Sequence, residues 1–488
     1  MTPPLFLSLT PHPPIFPLNP WLSMGLVLSL LVGLMSGLRV YQYHFSPHPE
    51  LVRKLLHIPM GLITLSFPWL FSKPLPVLVL AAIAIVWLLA LRLYKPLATR
   101  LGSVLGGVGR RSLGEIYFPI SVGVLFLLSQ GDALLFCIPM LILTLADAVA
   151  AVIGVRYGQF HYTTTDGFKS AEGSITFFTI AFLSVHIPLL LLTDIERAET
   201  LLIALILGLL VMLIEAIAWQ GLDNLFIPLG GFILLRLYLE MDALTLFVRL
   251  IVTIILVTFV LCWRQRTTLN DSALLGTAFI GYLSWTLGGW RWLLAPAILF
   301  LTYPLLISWI KQREIPLTPE ERQAMPWLPL ENDPKCPNAH WERIHNIYAV
   351  LSVAAAGLLW LFLFGIFDRP EFLYPYTLSF AANLAIIGIA GLSPLNYWQP
   401  SNLALLATYV LKGWLLMFTP LLLLQGLSAT SVFCTLLALV GIALPAIAYY
   451  LTQPLLRKRS TDTLNWLCRA GYTAIGSLLG LVPYWLQL

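Results

Sequence analysis

The feature that most limits what this chain can become is a recurring one. About sixteen apolar runs, each near the roughly 20 residues that a helix needs to cross the hydrocarbon of a bilayer, can be read at about 20–39, 55–72, 75–91, 114–130, 133–155, 174–193, 200–219, 223–239, 244–262, 271–289, 290–310, 346–366, 374–396, 403–425, 429–452 and 463–486. Inside hydrocarbon every backbone N–H and C=O has to be satisfied within the protein, so runs of this length are read as helices. Only 10% of the 488 residues are charged, against about 25% in soluble domains. The expectation is an all-α, polytopic integral membrane protein with about 14–16 transmembrane helices in two bundles. The least regular runs are the eighth, which opens on Asp223 and Asn224, and the close pair around Gly288 and Gly289; these could be re-entrant.

Alternating the runs across a membrane places Arg39, Arg53, Lys54, Arg92, Arg110, Arg111, Arg156, Lys169, Arg264, Arg266, Lys311 and Arg457 on one side. Chiefly Lys73, Arg197, Arg291 and Arg369 fall on the other, while Lys412 and Arg469 lie within runs. Lysine and arginine are retained on the cytoplasmic face, so the N-terminus is expected outside and the basic loops inside a bacterial cell membrane or its equivalent. That bias also accounts for the net charge of +5 without a nucleic-acid partner. Residues 1–19 carry no Lys or Arg and many prolines, unlike a secretory or transit signal, and read as an exposed tail. The five cysteines are scattered, with neither disulfide nor zinc spacing.

Polar residues that a membrane protein could have avoided gather in residues 143–176, LTLADAVAAVIGVRYGQFHYTTTDGFKSAEGSIT. Asp147 follows an apolar run, where an unpaired carboxylate is costly and by default marks function. Asp147, Ala151, Gly154 and Gly158 share one helical face, an acid followed by a groove without side chains that something could approach closely. Beyond a polar loop stand Lys169, Ser170, Glu172, Gly173 and Ser174, immediately before the next apolar run. Free N–H groups at a helix start, the positive end of the dipole and an ammonium suit a phosphate; Asp147 and Glu172 could hold the Mg²⁺ (or Mn²⁺) that accompanies nucleotides. The same residues also fit a structural account, with glycines allowing close helix packing and Asp147 paired with Arg156 or Lys169.

Three further places carry candidate groups. Arg53 and His57 lie four residues apart, hence on one helical face, with Lys54 beside them and Gly61 one turn on; flank charges and an interfacial histidine are the plainer explanation. Residues 99–119 hold five glycines and three arginines but no closing Lys-Ser/Thr of a Walker loop, and end in Glu115, a candidate metal ligand or orienting acid. Glu215 could snorkel to the interface, and Asp223 with Asn224 could simply cap a helix.

Together the motifs "RKLLHIPMG", "GEIYFP", "DAVAAVIGVRYG … KSAEGS" and "EAIAWQGLDNLFIP" resemble, in order and spacing, the phytol kinase and dolichol kinase family of polytopic CTP-dependent alcohol kinases. The resemblance implies a membrane kinase moving the γ-phosphoryl of CTP to a long-chain isoprenoid alcohol. In it Asp147, Lys169 and His57 would act in catalysis; Arg53, Lys54, Gly154, Gly158, Ser170, Gly173 and Ser174 would hold phosphates; Asp147, Glu172 and Asp223 would hold metal; and Glu115, Glu215 and Asn224 would lie nearby. Residues 20–266 form this domain. Residues 267–488, with a proline- and charge-rich loop at 311–345, form a second membrane domain that more loosely resembles the phytyl-phosphate kinase membrane family. That family's intramembrane acidic segment aligns with FAANLAIIGIAGL, which offers Asn383 and no acid. Two other functions fit the composition: a CDP-diacylglycerol synthase-like cytidylyltransferase, which also uses CTP and Mg²⁺ at a lipid interface, and a multi-span transporter with acids as proton sites. The sequence carries no sign of oligomeric state.

Overall fold

The computed structural model describes residues 19–45, 49–93, 113–164, 167–263, 269–311, 347–390, 400–426, 428–459 and 462–485. Residues 1–18 of the expected tail, most of the Gly/Arg loop and residues 312–345 of the charged loop lie outside them, as do the side chains of Arg53 and Lys54. The chain divides into two compact units, one within residues 3–254 and one within 255–488.

In the first unit the helices are α1 (Pro20–Phe45), α2 (Pro49–Leu65), the short α3 (Phe67–Leu70), α4 (Pro74–Leu93), α5 (Gly114–Ser129), α6 (Ala133–Leu141), α7 (Asp147–Tyr157), α8 (Ala171–Leu192), α9 (Arg197–Ile217) and α10 (Asp223–Tyr238), while α11 (Ala243–Cys262) spans the division. The second unit continues with α12 (Asp271–Gly288), α13 (Trp290–Lys311), α14 (Ile347–Phe367), α15 (Leu373–Ala390), α16 (Pro400–Gln425), α17 (Ala429–Arg459) and α18 (Asp462–Ser477). Every apolar run of the sequence therefore contains a helix. Among the described residues nine helices are long and apolar enough to cross a membrane, and three shorter apolar ones accompany them. This is an all-α, multi-pass membrane protein. Leu, Ile, Val and Phe left facing outward along α8 and α11, such as Leu191, Leu192 and Ile255, are what lipid-facing helices require.

The core of the first unit runs along α6 and α9, where Phe136, Ile138, Met140, Ile206, Leu207 and Leu210 are wholly buried. Helices α8 and α9 pair closely, as do α7 and α8. The second unit is built around α15, whose Tyr376, Phe380, Ala381, Ala385 and Ile386 are enclosed by its neighbours. Asn383, conspicuous in the sequence, donates to Val353 O at 3.0 Å and Ser379 O at 2.9 Å, tying α15 to α14. It is a satisfied structural amide.

One element departs from the all-helical expectation. Between α7 and α8 the polar loop forms a hairpin of β1 (His161–Thr164) and β2 (Gly167–Ser170), antiparallel, with Tyr162 opposite Lys169. The β-branched threonines and Tyr162 favour extended backbone, and the hairpin gives β2 a fixed direction into α8.

Candidate active site

The site is assembled from helices of the first unit and the hairpin between α7 and α8. After Pro139, which cannot donate to the helical ladder, the helix entering the site widens to a π turn over Ile142–Ala146 and resumes as α7 at Asp147. Single π turns are frequent at functional sites. Here the turn lies against α2, where His57 Nε2 is 3.3 Å from Leu143 O and 3.7 Å from Asp147 Oδ2. Both side chains are mostly shielded, 16% and 18% exposed, and the Phe118 ring of α5 meets the imidazole edge-on with centroids 5.9 Å apart. Gly61 makes the approach of α2 possible, since a Cβ there would overlap the Thr144 side chain. The buried Thr144 hydroxyl has no hydrogen-bond partner among the described residues.

The glycine face of α7 is close-packed, and its occupant is the chain itself. A Cβ at Gly154 would stand 3.0 Å from Ser170 Oγ and 3.5 Å from Gly173 Cα; one at Gly158 would come within 2.7 Å of Ser170 Cβ. The groove read from the sequence thus receives the start of α8, and Gly154, Gly158 and Gly173 permit that crossing as small residues do between membrane helices. Ser170 caps α8, its Oγ accepting from Gly173 N–H at 3.2 Å. The Ala171 N–H donates to Phe160 O. Two of the amides expected to face a phosphate are accordingly engaged within the chain.

Lys169 leads to a second cluster. From β2 its Nζ donates to Glu215 Oε1 at 2.7 Å and to the Glu215 carbonyl, with the two side chains 28% and 16% exposed. Burial works against the ammonium, but the Glu215 carboxylate, with Tyr162 and Asp223 adding to it, outweighs that and holds the Lys169 pKa above its ordinary value. Positive φ at Gln220 and Gly221 turns the chain tightly between α9 and α10, leaving Asp223 near enough to act on the Lys169 ammonium; glycine accepts that backbone freely. Asn224 Nδ2 donates to Gly114 O at 3.1 Å and Leu113 N–H to Gln220 O at 3.0 Å, so the start of α5 joins the cluster. Helix α5 thereby touches both clusters, Gly114 at one and Phe118 at the other.

The remaining candidates fall around these two clusters. Glu172 accepts from Phe160 N–H at 3.2 Å, Ser174 Oγ and Tyr162 Oη are 2.8 Å apart, and Glu115 is exposed in the first turn of α5. Arg156 is exposed and lies over Tyr157, so the carboxylate of Asp147 meets His57 rather than pairing with Arg156 or Lys169. Arg53 stands in α2 one turn before His57. Among the described residues no three His, Cys, Asp or Glu side chains stand together as a metal cage; Asp147, Glu172 and Asp223 are distributed over α7, α8 and α10. Sequence reasoning passed over Tyr162, Thr144 and the Leu143 carbonyl. The aromatic and threonine run before Asp166-Gly167 was a legible hairpin signal, whereas nothing in the sequence marks a carbonyl exposed by a π turn.

A multi-pass helical membrane protein with a His–Asp pair between two helices and a Lys–Glu pair joining a hairpin to a third is the class this geometry defines. Within it, 213 residues of the chain, 43% of its length, are 28% identical to a phytol kinase of Synechocystis sp., covering 89% of that protein. That likeness to a phytol kinase supports a relationship with the phytol and polyprenol kinases. No family model and no solved structure matches it.

Proposed function

We propose that the protein is a membrane kinase that transfers the γ-phosphoryl group of CTP to the hydroxyl of a long-chain isoprenoid alcohol such as phytol. The observation that carries this reading is the match to the phytol kinase along nearly all of that protein. The lipid-kinase class and the isoprenoid acceptor follow from that relationship; CTP as donor and Mg²⁺ as cofactor are the finer proposals, as is the cytoplasmic placing of the helix ends, which rests on the loop charge bias.

Phosphoryl transfer demands mainly positioning and charge neutralisation. His57 is placed for the acceptor hydroxyl, its imidazole fixed by the Leu143 carbonyl and Asp147 so that it can orient the alcohol or take its proton. Lys169 has three N–H donors, two of them directed at Glu215; the third is left for a phosphate oxygen. The Lys169–Glu215 pair is close to neutral, so its part is to aim one donor. Arg53, one turn from His57, would supply further positive charge. The dispersed carboxylates suit Mg²⁺, which is usually held by one or two protein carboxylates together with substrate phosphates, with Asp147 the first ligand. The ion would neutralise charge developing on the transferring group. An alcohol with a hydrocarbon tail partitions into the bilayer, so a site where membrane helices meet a polar hairpin takes tail from lipid and nucleotide from water.

The test is turnover by the purified full-length protein with a panel of prenols and with CTP, UTP and ATP compared at equal concentration. Formation of a prenyl monophosphate, fastest with CTP, is expected; no lipid phosphate with any pairing would overturn the assignment.

A further inference from the structure

Arg469 lies inside the last apolar run and belongs to no part of the kinase site. It is 9% exposed on α18, and α18 packs against α14, α15 and α17. Those three helices contain no Asp or Glu, and α18 itself has only Asp462, seven residues away. Arginine is rarely buried without an anionic partner. The partners of this one are neutral: the guanidinium carbon is 4.6 Å from the Trp466 ring and 4.8 Å from the Tyr449 ring, and Nη2 donates to Tyr449 Oη at 2.6 Å. Its Nε is buried and has no hydrogen-bond partner among the described residues, and the same is true of Oδ1 of Asn465, one turn earlier. The side chain is thus held in place by aromatic rings, with part of its donor edge unused. That edge suits bidentate pairing with a phosphate.

Next to it the second unit carries a partly open apolar pocket. A cavity of about 90 Å³ is lined by Ile280, Leu299, Phe300, Val353, Phe380 and Trp466, among other residues, and is almost entirely apolar. One water needs roughly 10–15 Å³ of such space, and an apolar cavity this large is poor lodging for water. Trp466 belongs both to the cavity wall and to the ring pair around Arg469, so an anion site and a hydrocarbon site share one side chain. A free phosphate would use only the first and a neutral lipid only the second.

We propose that the second unit holds a binding site for an anionic membrane lipid whose phosphate carries no compensating cationic headgroup, with that phosphate on Arg469 and part of one hydrocarbon chain in the cavity behind Trp466. The site belongs to residues 255–488 and does not depend on the reaction assigned to the first unit.

Native mass spectrometry of the full-length protein, titrated with phosphatidylglycerol, phosphatidylcholine, a long-chain monoalkyl phosphate and inorganic phosphate, tests it. One hydrogen-bonded charge pair corresponds to roughly a ten- to hundredfold preference, so phosphatidylglycerol is expected to bind at least about tenfold more tightly than phosphatidylcholine. The comparison with the monoalkyl phosphate tells a bulk phosphodiester from a lipid monoester; a preference for either over phosphatidylcholine supports the site. Arg469→Gln should erase that preference while phosphatidylcholine binding stays unchanged. Equal binding of anionic and zwitterionic lipids by the unaltered protein would overturn the proposal, as would a preference that survives in folded Arg469→Gln, or inorganic phosphate binding as tightly as the lipids. Should Arg469→Gln not fold, Arg469→Lys, which keeps the charge and loses the fork, is expected to weaken the preference severalfold; an undiminished preference would again refute it.

Discussion

Replacing Glu215 by Gln removes one charge from the Lys169 pair and leaves its shape, since a Gln oxygen can still accept from the ammonium. At the observed 2.7 Å the Coulomb attraction is about 6 kcal/mol at an effective dielectric of about 20 and about 1.5 kcal/mol in bulk water. Both side chains retain some exposure, and the carboxylate no longer has to be desolvated in the variant, so a net loss of about 2 kcal/mol is expected, below the 3–5 kcal/mol typical of breaking a fully buried pair. For a unit of this size that is a fall in Tm of roughly 4–8 °C, measurable by thermal unfolding in detergent. The pH dependence makes the test sharper. Because the folded Lys169 pKa lies above its unfolded value, the pair's contribution is complete below about pH 10.4 and is lost only as pH rises through the folded value. The unaltered protein should therefore show no Lys169-linked loss of stability between about pH 6 and 9. In Glu215→Gln, burial acts on the ammonium with its principal counter-charge gone, and the decline should begin at lower pH. A double-mutant cycle with Lys169→Ala separates the pair from other effects. An unchanged Tm and an unshifted pH profile in Glu215→Gln would refute the reasoning.

Other substitutions probe the rest of the site. Asp147→Asn should abolish turnover while the protein still inserts and folds, because removing a membrane carboxylate eases insertion; folded protein with near-normal activity would remove Asp147 from the chemistry. Gly158→Ala should cost about 1–3 kcal/mol, since its Cβ would meet Ser170 Cβ at 2.7 Å, and it should lower Tm more than Gly25→Ala, whose Cβ meets nothing within 4 Å; equal effects would deny the close packing of α7 on α8. Residues 1–266 expressed alone should phosphorylate the alcohol, since every polar motif assigned to nucleotide chemistry lies before Arg264; a stable but inactive fragment would refute that division, and diphosphate formed only by the full chain would point to a second kinase.

The helices were legible because hydrocarbon permits little else: each apolar run contains one, and the turns fall where Gln130-Gly131 and Gln220-Gly221 take positive φ. The partners were not. The structural alternative read from the sequence paired Asp147 with Arg156 or Lys169, its neighbours in the chain, yet its carboxylate meets His57, 90 residues earlier, and Lys169 reaches 46 residues forward to Glu215. Such pairings depend on which helices pack together, and apolar runs without a strong polar face carry little record of that. The small-residue face of α7 was visible as a pattern, but the pattern is the same whether a ligand or Ser170 and Gly173 fill it. Arg469 was visible only as a charge inside a span; its aromatic enclosure is a product of packing.

The central claim is a transfer of the terminal phosphoryl group to a lipid hydroxyl, and paired labelling of CTP tests it most directly. Purified full-length protein is incubated with phytol and with CTP labelled at either the γ or the α phosphorus, and the organic phase is counted. The account predicts γ label in phytyl monophosphate and no α label in lipid. Label from the α position, or from neither, would contradict it.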